Sequence, residues 1–170
     1  IIDAAQSIGA KYVKKKKYAG TVGDVGGFSF NIHKHINTGE GGVIVTNNKN
    51  IANKAYLIRN HGENMVNKIK TNNLSNLIGY NFRLGEIECA IGIEQLKKLE
   101  ILVKERQNIA NELAFALKNL DGLNLPYVQK GNTHIYYVYG LILDLEELGL
   151  KRSTIVKALN ADSKELRNDI

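Results

Sequence analysis

Apolar and polar positions alternate along this chain in two registers. Residues 1–5 are short and apolar with Asp3 in the middle, and residues 25–30, Val-Gly-Gly-Phe-Ser-Phe, form a second such run entered through glycines. Residues 42–46, Gly-Val-Ile-Val-Thr, are β-branched and stopped by Asn47 and Asn48. Each predicts a short strand. None alternates cleanly, which predicts a sheet covered on both faces. Helical spacing then takes over: Ile51, Ala55 and Ile58 predict a helix over 51–59. Residues 63–76 are polar, Asn-rich and loop-like.

The strongest periodicity covers 84–117. Leu96, Leu99, Leu102, Val103, Ile109, Ala110, Leu113 and Leu117 keep i, i+3, i+4 spacing, giving one long helix or two with a bend, stopped before Asp121-Gly122 and Pro126. Cys89 falls in this stretch and reads as a small core residue. Residues 133–144 read as a β-rich run, and 153–159 as a short helix with Ser153 as N-cap. A division follows at residues 97 and 98: an α/β part before it, and a long helix with a smaller α+β part after it.

Composition narrows the class. The 170 residues carry 23 Lys+Arg against 17 Asp+Glu, a net charge of +6, with 44% apolar residues. That balance is globular and argues against disorder. No stretch approaches the roughly 18 apolar residues of a membrane-spanning helix. One cysteine excludes an internal disulfide framework and a multi-Cys zinc site, and suits a reducing cytoplasm. The chain begins with Ile1 inside a strand-like run, which points to a piece of a longer protein. Lys11 and the run 14–17 could mark a nucleic-acid patch, but with no accompanying RNA-binding or helix-turn-helix signature they read as a solvated hairpin or loop tip closed by Gly20 and Gly23.

The most informative stretch is residues 27–42, Gly-Phe-Ser-Phe-Asn-Ile-His-Lys-His-Ile-Asn-Thr-Gly-Glu-Gly-Gly. A lysine there follows a strand and precedes a glycine-rich turn, where backbone can approach a ligand closely. Such a lysine could condense with a carbonyl; taken alone, a loop lysine such as Lys34 is far more often a solvated surface lysine. His33 and His35 lack a Cys or carboxylate at ligand spacing and read as loop histidines. Alone, Asp3 is a strand-end carboxylate or cap, Ser29 a strand hydroxyl, and Asn81 a turn residue.

Five blocks occur in order: Asp3-Ala4-Ala5-Gln6; residues 26–30; Lys34 with Thr38-Gly39-Glu40-Gly41-Gly42; Arg59-Asn60-His61-Gly62; and residues 79–84, Gly-Tyr-Asn-Phe-Arg-Leu. Together they resemble the pyridoxal-phosphate-dependent sugar aminotransferases of the DegT/StrS type, over roughly residues 1–128. The resemblance implies an α/β fragment of the fold-type I, aspartate-aminotransferase-like fold: part of the large-domain sheet, a long helix and a partial small domain. It implies pyridoxal 5'-phosphate as cofactor, with Lys34 as the lysine that condenses with its aldehyde. Asp3 would face the pyridine nitrogen, Gln6 the ring, and Ser29 the phosphate. Asn81 would reach the phosphate of a neighbouring subunit, so the site would be shared in a homodimer. Arg83 and His61 receive no role.

The activity so implied is transfer of an amino group from a donor such as glutamate to a nucleotide-linked keto-sugar, in the cytoplasm, with no nucleic-acid or membrane partner and no metal. Two alternatives accompany it. Some relatives carry histidine at the lysine position and dehydrate sugars; the register places Lys34, not His33, there. A truncated paralogue serving dimerisation is the other. Family members carry a region before Asp3 that supplies a phosphate loop and a stacking aromatic, so this chain alone is expected to be inactive.

Overall fold

The computed structural model describes residues 1–63 and 77–168; the loop expected over 63–76 lies outside them except for Glu63. The chain divides into two compact units: Ile1–Gln107 with Val128–Tyr137, and Asn108–Tyr127 with Val138–Ile170.

In the first unit, strands β1 (Ile2–Asp3), β4 (Gly26–Ser29) and β5 (Gly42–Val45) form a sheet in the order β1-β4-β5. β1 runs parallel to β4, pairing Asp3 with Gly27, and β5 runs antiparallel to β4, pairing Ile44 with Gly27 and Gly42 with Ser29. The three strands lie where the β-branched and glycine-entered runs predict them. The two-sided cover does not follow. Val43 and Ile44 point to opposite faces of β5 and both are exposed, Ile44 by 59%. The apolar runs carry side chains for two buried faces, but this chain does not cover β5 on either.

Gly26 is required by close approach: a Cβ there would collide with the carbonyl of Gly20, and Phe28 packs against the Gly20 turn from the same strand. The lysine-rich segment is a hairpin, as expected, of β2 (Lys11–Tyr12) and β3 (Lys17–Tyr18) around a 3-10 turn. β2 is also tied to residues 131–133: the Val13 amide donates to the Gly131 carbonyl, and Lys11 and Thr133 exchange bonds of 2.8 and 2.9 Å.

Helix α1 (Lys49–Arg59) starts two residues earlier than its apolar spacing indicates, because the Asn48 side chain accepts the Asn50 and Ile51 amides and caps it. Helix α2 (Glu86–Leu117) is one continuous helix of 32 residues. It opens on Glu86 and Glu88, charges that suit a helix N-terminus. Its Leu99 and Val103 sit one turn apart against Gly9, and its Gly92 lies against the Thr38 methyl. Cys89 is exposed, not a core residue. Ile93, one turn on along the same face, is exposed as well, so that face is apolar in sequence but uncovered here.

In the second unit, β6 (Leu123–Asn124) pairs with β7 (Ile142–Leu143), and α3 (Leu145–Leu148) follows, capped by Asp144. The β-rich run expected over 133–144 yields only β7. Tyr136 takes a left-handed φ of 50°, which breaks an extended strand. Helix α4 runs Arg152–Asn168, so Ser153 lies inside its first turn and is not the N-cap. It passes the expected end at Leu159 because no Gly or Pro stops it. Among the described residues, no helix is long and apolar enough to cross a membrane.

Candidate active site

The site is built at the carboxyl ends of the parallel pair β1 and β4, the edge where open α/β sheets place ligands. Asp3 ends β1 and is exposed; one carboxylate oxygen accepts the Ala5 amide at 3.0 Å, and the other meets no donor among the described residues. Gly27 lies beside Asp3 in register, and a Cβ there would meet nothing within 4 Å. Successive strand residues alternate faces, so Asp3, Gly27 and Ser29 share one face. That face therefore has a bare floor between a carboxylate and a hydroxyl.

Ser29 is half-buried at the end of β4. Its Oγ accepts the Asn31 amide at 3.2 Å. A serine hydroxyl has one hydrogen and two acceptor sites, so the hydrogen remains available to an acceptor. Beyond it the chain turns tightly. The Asn31 side chain accepts the His33 amide and donates to Glu40, the Lys34 amide donates to the Asn31 carbonyl at 2.9 Å, and the Thr38 amide closes on Phe30 at 3.0 Å. Thr38 is buried, its hydroxyl donating to the Glu40 carbonyl at 2.8 Å. Gly39 follows with φ of 84°, a conformation open to glycine.

Lys34 stands in this turn, half-buried. Its ammonium lies 4.4 Å from the centre of the Tyr137 ring and has no carboxylate partner among the described residues. His35 is buried, with Nε2 2.7 Å from the Ile135 carbonyl. A carbonyl only accepts, so Nε2 carries the hydrogen. Burial is the main cause holding this imidazole below its ordinary 6.5; the Ile135 bond opposes that and the Arg106 charge adds to it.

Thus Asp3 and Ser29 share one face of adjacent strands, and Lys34 stands in the turn that follows the second of them. Gln6 is exposed in the turn after β1. Asn81 lies elsewhere in the first unit, bridged to Asn60 at the end of α1, with an exposed side chain. Arg83 braces that segment, donating to the Asn60 side chain at 2.7 Å. Sequence reading missed two neighbours of the lysine, buried His35 and Tyr137. The adjacency of His35 to Lys34 was visible; a contact with residues a hundred positions on was not. Among the described residues, no group of three or more His, Cys, Asp or Glu is arranged to hold a metal ion.

The first unit is thus an α/β arrangement whose parallel-strand edge carries a carboxylate and a hydroxyl beside an open floor, with a lysine in the turn that follows. The particular kind follows from its relatives: residues 1–167 match the DegT/DnrJ/EryC1/StrS aminotransferase family, and the chain belongs to that family. It is 33% identical over 168 residues to the GDP-perosamine synthase of Caulobacter vibrioides, covering 98% of this chain and 43% of that enzyme. Over 111 residues it is 40% identical to the UDP-4-amino-4,6-dideoxy-N-acetyl-beta-L-altrosamine transaminase of Campylobacter jejuni, covering 65% of this chain and 28% of that one. The solved Escherichia coli GDP-4-keto-6-deoxy-D-mannose-3-dehydratase with bound hydrated PLP superposes with a TM-score of 0.81 at 30% identity, over 95% of this chain and 44% of that one. The chain thus spans less than half the length of each.

Proposed function

We propose that this chain is the cofactor-lysine part of a pyridoxal-phosphate-dependent aminotransferase that moves an amino group from a donor such as glutamate to a nucleotide-linked keto-sugar. The product would serve cell-surface polysaccharide synthesis, in the cytoplasm. The carrying observation is that Asp3 and Ser29 flank the bare face of Gly27, while Lys34 stands in the turn that follows β4 with no carboxylate partner among the described residues. The donor set fits the group: a free carboxylate oxygen for a ring nitrogen, a free hydroxyl hydrogen for a phosphate, and an amine for an aldehyde. The family membership and the names of the relatives support the same reading.

When bound, pyridoxal phosphate supplies an aldehyde and a ring that takes up electrons from a carbon losing its proton. Lys34 Nζ would hold it through its aldehyde and, when free, would take a proton from the donor carbon as base and return it as acid. Asp3 favours the protonated ring nitrogen by its charge. Ser29 donates to the phosphate, Gln6 borders the ring, and Asn81 serves the site of a neighbouring subunit in a homodimer. Residues 1–97 then form the C-terminal part of the large domain, and 98–170 the long helix with part of the small domain. The chain by itself would not turn over substrate. The likeness to a dehydratase supports a second reading on the same scaffold; a lysine, not a histidine, at 34 favours amino transfer.

The test treats the chain with pyridoxal phosphate and then borohydride, and maps the labelled lysines by mass spectrometry. Lys34 is expected to carry the label well ahead of the exposed Lys14 and Lys16, and Lys34→Ala to lose it. Label spread evenly over the lysines would defeat the reading.

A further inference from the structure

The turn that carries Lys34 is gripped by a segment a hundred residues further along the chain. His35, the next residue, is buried and donates through Nε2 to the Ile135 carbonyl at 2.7 Å. Two residues past Ile135, the Tyr137 ring lies 4.4 Å from Lys34 Nζ and 6.2 Å from the His35 ring. The left-handed Tyr136 between them turns the chain, so that a carbonyl and a ring two positions apart meet the same turn. An extended strand would send neighbouring groups along its axis and alternate its side chains.

This bend is held by more than local preference. Arg106 on α2 donates to the Tyr136 carbonyl at 3.2 Å, and Gln107 to the His134 carbonyl at 2.9 Å. The Tyr136 amide donates to His134 Nδ1 at 2.9 Å. A non-glycine residue at positive φ persists where its surroundings over-determine it, and such sites gather where geometry matters for function. The contact with Lys34 is also of a particular kind. A ring face attracts an ammonium from within about 6 Å without taking its hydrogens in directed bonds. The ammonium is thus oriented, and it reacts once it has lost a proton.

We propose that Ile135 and Tyr137 form a seat for the reactive lysine, with His35 as the positioning residue that fixes the turn and Tyr137 as the surface that aims Nζ. This rests on the reading of Lys34 as the cofactor lysine; the seat itself is testable without cofactor. The lysines of the whole chain are dimethylated with isotope-labelled formaldehyde and a mild borohydride, and their methyl signals are read by NMR. The Lys34 signal, identified by its absence in Lys34→Arg, is expected upfield of the exposed lysines through the Tyr137 ring current. Tyr137→Leu should return it to the exposed position. His35→Leu should do the same, whereas His35→Gln, which keeps a side-chain N–H for Ile135, should retain the shift. A merely structural His35 would lower the melting temperature without moving the Lys34 signal. Should His35→Leu fail to fold, Tyr137→Leu and His35→Gln decide. An unshifted wild-type signal, or a shift that survives Tyr137→Leu, overturns the seat.

Cofactor labelling by borohydride gives the second arm. Where the wild-type chain labels Lys34 preferentially, that preference should fall several-fold in His35→Leu and Tyr137→Leu and recover in His35→Gln; a preference kept at the wild-type level in both leucine variants overturns the seat. A wild-type chain with the ring-shifted signal but no labelling preference for Lys34 would sink the cofactor reading and leave the seat standing.

Discussion

Burial strips the water that would solvate a charge on His35 and so holds its imidazole below its ordinary 6.5 in the folded chain. The folded chain therefore binds fewer protons here than the unfolded chain, in which the imidazole titrates near its ordinary 6.5. Acidification through 6.5 favours the state that binds more protons, so His35 makes stability fall with pH below that value and recover above it. The urea midpoint of the chain, measured on either side of 6.5, should drop on the acid side, and His35→Gln should remove part of that drop. An identical drop in His35→Gln would show that other groups cause it. The residue scale also shows what the sequence could reveal of the site. The positions of Asp3, Ser29 and Lys34 at a strand end, a strand end and a following turn were legible as local features, while their roles rest on the family resemblance; register aligns Asp3 with Gly27 and so with the face of Ser29. Tyr137 was not legible, since nothing in a stretch reading His-Ile-Tyr-Tyr-Val-Tyr says which tyrosine meets a lysine a hundred positions earlier.

Strand β4 offers a controlled comparison, because two adjacent glycines point to opposite faces. At Gly26 an added methyl meets the Gly20 carbonyl, a backbone atom that cannot swing aside; at Gly27 it meets nothing. Overpacking of this kind costs about 1–3 kcal/mol. Gly26→Ala should lower the urea-derived stability by about that much, while Gly27→Ala should change it by less than about 1 kcal/mol, since alanine costs no strain in an extended strand. The same Gly27→Ala should still reduce labelling at Lys34 if the bare floor receives the cofactor. Equal destabilisation by the two would contradict the packing of the Gly20 turn. Elements with strong local signals were read correctly: short apolar runs, glycine-entered or β-branched, gave β1, β4 and β5, and sustained helical spacing gave α2. Residues 133–144 failed for a different reason. Their composition is that of a strand, but Arg106, Gln107 and His134 take the hydrogen bonds of the bend at Tyr136, and tertiary contacts override propensity.

Over the whole molecule, the balance between buried and exposed apolar surface sets the behaviour. Among the described residues the buried apolar ones are few and half of them are alanines, Ala4, Ala10 and Ala110, while Ile87, Phe82 and Phe115 stand 75%, 65% and 74% exposed. Apolar surface on this scale marks interaction sites or association. The purified chain should therefore bind a hydrophobic dye in its folded state and grow in apparent size with concentration. Ile87→Glu separates the causes. Placed in the first turn of α2, a carboxylate suits the helix N-terminus, and an exposed substitution changes stability by about 0.5 kcal/mol or less. In dilute solution the variant should thus unfold at the wild-type midpoint while binding less dye and associating less. A large loss of stability in the dilute variant would mean that Ile87 is covered in solution, and that the face around it is already packed.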